Sequence, residues 1–246
     1  MYVIPCNYGQ ESIALIEWMH QQQKTNVHCL YVETGWAAPG WSERVKVLEA
    51  WVDSLGFVPK TLTPKRDFAE LMKEQKKFPT QKFQWCASFL KGLPILEYLD
   101  FEWDSEMKST IVLALRRSAS RTLMNLPEWT EASEHYNGRP LWHPLYDKTE
   151  KEMDDLVKNS GILDRLGLAL NLTTSRRSLE CHPCVNSSFS EVNACRSHPE
   201  IGPKIKNLEE ILQEAFPSSS DKGLNHAFSS LELFLRGCGL PFGCGL

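Results

Sequence analysis

The stretch YVIPCNYGQESIALIEWMHQQQKTNVHCLYVETG, Tyr2 to Gly35, decides the fold. Tyr2-Val3-Ile4-Pro5 is a short apolar strand, and a turn holding Asn7, Tyr8 and Gly9 follows it. Ile13, Leu15, Ile16 and Met19 then recur at helical spacing. Val27 to Val32 is a second apolar run, of buried-strand length, and it ends in Glu33-Thr34-Gly35. Further on, WSERVKVLEAWVDSLGF (Trp41 to Phe57) predicts an amphipathic helix with Val45, Leu48, Trp51, Val52 and Leu55 on one face and Gly56 as its stop. Strand, turn, helix, strand, loop, helix makes a βαβα unit, because parallel strands need a crossover long enough to hold a helix. The expected fold class is therefore α/β: an open, mostly parallel sheet with helices on both faces.

The middle of the chain continues in kind. Lys82 to Leu99 carries a helical pattern around Cys86 and Lys91, and Ser109 to Leu115 reads as a further buried strand. That strand runs into Arg116-Arg117-Ser118-Ala119-Ser120-Arg121. Leu141 to Leu145 leads to a helix that Thr149 caps, with Glu152 three residues on. Beyond residue 160 the pattern weakens to a cysteine-bearing loop, a helix from about Lys206 to Phe216, and a glycine-rich tail. The expected organisation is a nucleotide-binding α/β domain over residues 1–160 and a cysteine-rich C-terminal region over 161–246 packed on it.

The net charge of −4 gives no global basic field, so strong non-specific nucleic-acid binding is not implied. The N-terminus lacks the positive flank of a secretory signal, and no apolar run approaches the roughly 20 residues that span a bilayer. A cytoplasmic protein without a membrane partner is expected. In that setting the 8 cysteines argue against a disulfide framework.

Asn7 to Ser12 sits where the first strand meets the first helix. A glycine turn there presents backbone N–H groups and a helix N-terminus to an anion, with Ser12 expected to cap the helix and donate to a phosphate. A plain βα turn with a capping serine is the other reading. Glu33, Thr34 and Gly35 fall past the carboxyl end of the second strand, where open α/β sheets bind ligands. Arg116, Arg117 and Arg121 follow a strand at the same edge, and guanidinium forks match phosphate or sulfate oxygens. A solvated basic helix start would look the same.

Cys181-His182-Pro183-Cys184 is the sharpest local signal, because a CxxC loop brings two thiolates to one metal. Two more ligands are needed. Cys238 and Cys244, on the repeated Gly-Cys-Gly-Leu of the tail, can fold back to supply them, with Cys86 or Cys195 as replacements for one of them. The expected centre is a [4Fe–4S] cluster, or Zn²⁺ in its place, on Cys181, Cys184, Cys238 and Cys244. His143, His182 and His198 are expected to be structural or surface side chains.

The order of these motifs resembles the phosphoadenosine-phosphosulfate (PAPS) reductase family of the adenine-nucleotide alpha-hydrolase, or PP-loop, superfamily, over nearly the whole chain. That family's Ser-Gly-Gly-x-Asp-Ser loop is similar to Asn7-Tyr8-Gly9-Gln10-Glu11-Ser12, and its Asp-Thr-Gly-x-x-x-Pro element to Glu33 through Pro39. Its Cys-x-x-x-x-Lys-x-x-Pro-Leu helix resembles Cys86 through Ile95, its arginine-rich segment Leu115 through Arg121, and its Pro-Leu element Pro144 through Thr149. A cysteine loop followed by a C-terminal cysteine pair is similar to the phage and prophage-associated branch. The resemblance implies binding of ATP, adenosine phosphosulfate (APS) or PAPS over Asn7–Ser12, Glu33–Gly35, Arg116 and Arg121. Glu11 would carry the loop's acid role through Mg²⁺, and Arg117 would act on the phosphate or sulfate. The implied chemistry is sulfur transfer or nucleotide or nucleic-acid modification. Two alternatives stay open. One is a thiol-dependent PAPS or APS reductase, in which Cys244 attacks the sulfonate sulfur and thioredoxin resolves the S-sulfo-cysteine. The other is a non-enzymatic nucleotide-binding descendant. A sulfur donor and a homodimer are further partners compatible with the resemblance. Where the family loop has glycine this chain has Tyr8, whose side chain is expected to crowd a close-lying phosphate.

Overall fold

The computed structural model describes residues 1–80, 84–102, 109–119, 123–166 and 178–215. Along the chain run β1 (Tyr2–Cys6), α1 (Gln10–Gln21), β2 (Val27–Val32), α2 (Trp41–Ser54), β3 (Val58–Leu62) and α3 (Phe68–Gln75). A π-helical stretch (Ala87–Gly92) continues into α4 (Leu93–Glu102). Then follow β4 (Thr110–Val112), β5 (Trp129–Ser133), β6 (Arg139–Trp142), α5 (Glu150–Asn159), α6 (Ile162–Leu166), α7 (Phe189–Ser197) and α8 (Ile201–Ala215). The six strands form one sheet in the order β3-β2-β1-β4-β6-β5, parallel except for β5 against β6. The chain is thus an α/β protein with a mostly parallel sheet.

Strand alternation splits the core between the two faces. Ile4, Cys6, Cys29 and Tyr31 point to one face, where α1, α2, α5 and α6 cover them through Ile13, Ile16, Leu48, Val52, Leu156 and Ile162. Val3, Leu30 and Val32 point to the other face, against Ile95 and Leu99 of α4. Each fully buried aliphatic side chain of this kind contributes about 1.5–3 kcal/mol.

The ends of the elements follow local chemistry. Thr149 caps α5 in a capping box with Glu152, as its spacing predicts. Gly56, at φ +76°, turns the chain after α2. Three expectations need correction. The N-cap of α1 is Gly9, and Ser12 lies inside the helix with its hydroxyl turned back to Asn7. The predicted Ser109–Leu115 strand pairs only over Thr110–Val112. The predicted Lys82–Leu99 helix, of which Lys82 and Phe83 lie outside the described residues, divides into the π-helical stretch and α4. β3 and the β5–β6 pair carried no clear signal, since Val58-Pro59-Lys60-Thr61-Leu62 and Trp129-Thr130-Glu131-Ala132-Ser133 are polar edge strands with few buried side chains. No helix among the described residues is long and apolar enough to cross a membrane.

The topology opens a crevice. From β1 the chain winds outward to β2 and β3, and then returns to the other side of β1 with β4, so the winding direction reverses between β1 and β4. The two strands are paired only at Tyr2–Thr110 and Val3–Ile111, while β1 runs on beside β2 to Cys6. They therefore part toward their carboxyl ends. That is where open α/β sheets place ligands.

Candidate functional site

Four segments meet at this edge. The turn after β1 is held by its own side chains: Asn7 Oδ1 accepts from Gly9 N at 2.8 Å and from Ser12 Oγ at 2.9 Å. Ser12 Oγ in turn accepts from Asn7 N at 3.2 Å. Tyr8 adopts φ +55°, in the left-handed region that suits glycine. Its ring does not crowd the turn, contrary to expectation. It is fully buried in the core and packs 5.6 Å from the Tyr31 ring. The left-handed backbone is what turns the ring inward, so the sequence position of a glycine is filled by a residue that serves the core.

After β4, Arg116 reaches across the crevice. Its Nη2 donates to Glu11 Oε1 at 2.7 Å, and its Nη1 donates to Ser118 Oγ at 3.3 Å. Glu11 Oε2 and Arg116 Nε are buried and have no hydrogen-bond partner among the described residues. Arg117 faces elsewhere: its guanidinium donates to Leu126 O and Asp147 Oδ1 and lies 4.5 Å from the Tyr146 ring. Arg116 and Glu11 are thus brought together at the turn, and Arg117 is not joined to them. Arg121 lies outside the described residues.

The loop after β2 meets the cysteine loop. Thr34 Oγ1 donates to Glu180 O at 3.2 Å and lies 3.8 Å from Cys181 Sγ. Ala38 N donates to Leu179 O, His182 N to Trp36 O, and Trp36 Nε1 to Pro183 O, all within 3.1 Å. Glu33 Oε1 accepts from Gly35 N, which closes the turn that Gly35 makes at φ +71°. The same segment reaches the first turn as well. Ser178 Oγ donates to Asn7 O at 3.4 Å, and a Cβ placed on Gly9 would meet Ser178 Cβ at 3.1 Å. Gly9 is therefore roofed by Ser178, while Gln10 and Glu11 stay half-exposed on the side of Arg116.

Lys91, in the π-helical stretch that follows Cys86, donates to Glu180 Oε1 at 2.7 Å, and both side chains are almost fully buried. Burial pushes the Glu180 carboxyl above its usual range, while Lys91 pulls it down. The pair fastens the cysteine loop to the helix that bears Cys86. π-Helical turns are rare and occur frequently at functional sites.

The described cysteines fall into two groups. Cys6 and Cys29 are buried in the core, and burial raises both thiols far out of the reactive range. Cys181 and Cys184 are half-buried on the loop, and Cys195 Sγ lies 3.1 Å from His182 Nε2. Cys86 and Cys184 border the same apolar cluster, and Cys86 also borders the cluster that contains Cys195. Among the described residues no group of three or more His, Cys, Asp or Glu side chains is arranged to hold a metal ion. Cys238 and Cys244 lie outside the described residues.

Sequence reasoning missed Arg44, Ser178 and Glu180 at this edge. For Arg44 a signal existed: a charged residue inside the apolar stripe Trp41, Val45, Leu48, Trp51, Val52. For the other two none did, because a serine and a glutamate before a CxxC motif look like solvated loop. Comparison with known proteins returned no matching family model and no matching curated sequence.

Proposed function

We propose that this chain is an adenine-nucleotide-binding enzyme of the PAPS reductase type, acting in sulfur transfer or in nucleotide or nucleic-acid modification. The observation that carries it is the Arg116–Glu11 pair spanning the crevice between β1 and β4, beside the Asn7–Ser12 turn. Asn7 Oδ1 takes one N–H and one O–H from that turn, the two donors a phosphate oxygen would use. Phosphate binding exchanges one acceptor oxygen for another, with no donor left bare. Since Ser178 roofs Gly9, the ligand enters from the side of the half-exposed Gln10 and Glu11, toward the buried Arg116. Glu11 Oε2, which no group among the described residues uses, would be available to hold Mg²⁺, which would supply charge neutralisation to a bound phosphate. Calorimetric titration with ATP, APS and PAPS tests this. At least one should bind, and Arg116→Ala should weaken that binding by about 1.5–3 kcal/mol, as expected for a lost charge-assisted contact. No binding of any of the three overturns the proposal.

The soft, half-buried thiols of the Cys181–Cys184 loop fit an iron–sulfur or zinc centre by their donor chemistry. Cys181 and Cys184 would hold it with Cys238 and Cys244, or with Cys86 or Cys195 replacing one of the tail ligands. These cysteines would tie the loop to the rest of the chain through the centre, and an iron–sulfur centre would supply redox chemistry there. Anaerobically purified protein is expected to carry iron or zinc, and Cys181→Ser with Cys184→Ser to lose it. Undiminished metal in that double variant would remove the loop from the ligand set.

A further inference from the structure

α2 buries a charge that no acid among the described residues neutralises. Arg44 sits on the apolar stripe of that helix and is 2% exposed. Its Nε donates to Tyr8 O at 2.9 Å, and its guanidinium carbon lies 5.1 Å from the centre of the Trp41 ring. Among the described residues, buried Nη1 has no hydrogen-bond partner and no carboxylate pairs with the guanidinium. Burial draws its pKa down to about 10, so it stays cationic at neutral pH. An isolated buried cation costs several kcal/mol, whereas an apolar residue of similar volume on the same stripe would cost none of this. Packing does not account for an arginine here.

Its location does. The carbonyl that Arg44 holds belongs to Tyr8, the left-handed residue whose next peptide N–H, that of Gly9, opens the 12-residue helix α1. The amino end of a helix adds its own positive field. Arg116 stands on the other side of the turn, and Glu11, the acid paired with it, cancels one guanidinium only. Among the described residues, the groups in hydrogen-bond contact with the Asn7–Ser12 turn thus include two cations, Arg44 and Arg116, and one acid, Glu11, while Glu49 of α2 acts on Tyr8 from farther off.

We infer that Arg44 is a positioning residue of the phosphate turn. It fixes the Tyr8–Gly9 peptide through Tyr8 O, and it supplies from beneath the positive charge that a polyphosphate or phosphosulfate ligand neutralises. This rests on the nucleotide reading above and adds to it the residue that holds the turn and charges it from the α2 side.

Two readouts move in opposite directions if Arg44 has this role. Arg44→Met and Arg44→Gln are compared with wild type for stability to urea without anion, and for affinity toward inorganic pyrophosphate and PAPS by calorimetry. Both variants are expected to match or exceed wild-type stability while binding at least about tenfold more weakly, as loss of a nearby unscreened charge implies. Arg44→Lys, which keeps the charge and loses the fork, should recover part of the affinity. Variants that lose stability yet bind with wild-type affinity once folded would make Arg44 a structural support and overturn the inference. Equal weakness of Arg44→Lys and Arg44→Met would overturn charge supply. Absence of binding by wild type itself overturns the nucleotide reading first, and Arg44 with it, whereas intact binding in all three variants removes Arg44 alone.

Discussion

Glu180→Ala is expected to lower stability by about 3–5 kcal/mol, because it removes the carboxylate that offsets the buried Lys91 charge. The two side chains are 2% and 4% exposed and 2.7 Å apart, so water screens neither. For a chain of this size each kcal/mol moves Tm by about 2–4 °C, which puts the expected drop near 6–20 °C. Replacing both partners, as in Lys91→Met with Glu180→Leu, should restore most of the loss, since an apolar pair of similar volume is often as stable as a buried ion pair. Circular dichroism melting of the single and double variants separates the two effects. A Glu180→Ala protein that melts within about 2 °C of wild type would show that the pair does not fasten the cysteine loop.

Tyr8→Ala is expected to cost about 3–5 kcal/mol through the cavity left by a fully buried aromatic ring. Tyr8→Gly removes the same ring, yet should be less damaging by about 1 kcal/mol, because glycine adopts the left-handed backbone without the Cβ penalty. The order is opposite to that of an ordinary buried site, where glycine is worse than alanine. Urea denaturation of the two variants decides it. If Tyr8→Gly proves the less stable, the left-handed turn stores no strain, and its resemblance to a glycine position is superficial.

Much of the sheet was legible because its central strands are apolar runs joined by well-patterned helices: Tyr2–Cys6, Val27–Val32 and the Trp41–Ser54 helix stand where their periodicity puts them. The edges were not. β3 and β5 expose most of their side chains, so hydrophobic pattern has little to report there. Of the candidate site, the turn, Thr34 and Arg116 were legible from their place after strands. The covering of Gly9 by Ser178 was not, because a contact between residues 9 and 178 leaves no local trace. Neither was the Lys91–Glu180 pair, whose partners are 89 residues apart and acquire their meaning only when buried together. Tyr8 misled for a related reason: its side chain is large, but the left-handed backbone sends it into the core and away from the turn.

The central claim is that a nucleotide sits in the crevice between β1 and β4. Amide chemical shifts of the ¹⁵N-labelled protein, followed during titration with the tightest-binding of ATP, APS and PAPS, test it most directly. The largest changes are predicted at Gly9, Glu11, Ser12, Thr34 and Arg116, with Trp129 to Ser133 at the far edge of the sheet unmoved. Shifts centred away from the carboxyl ends of β1 and β4, or no saturable shifts at all, would contradict it.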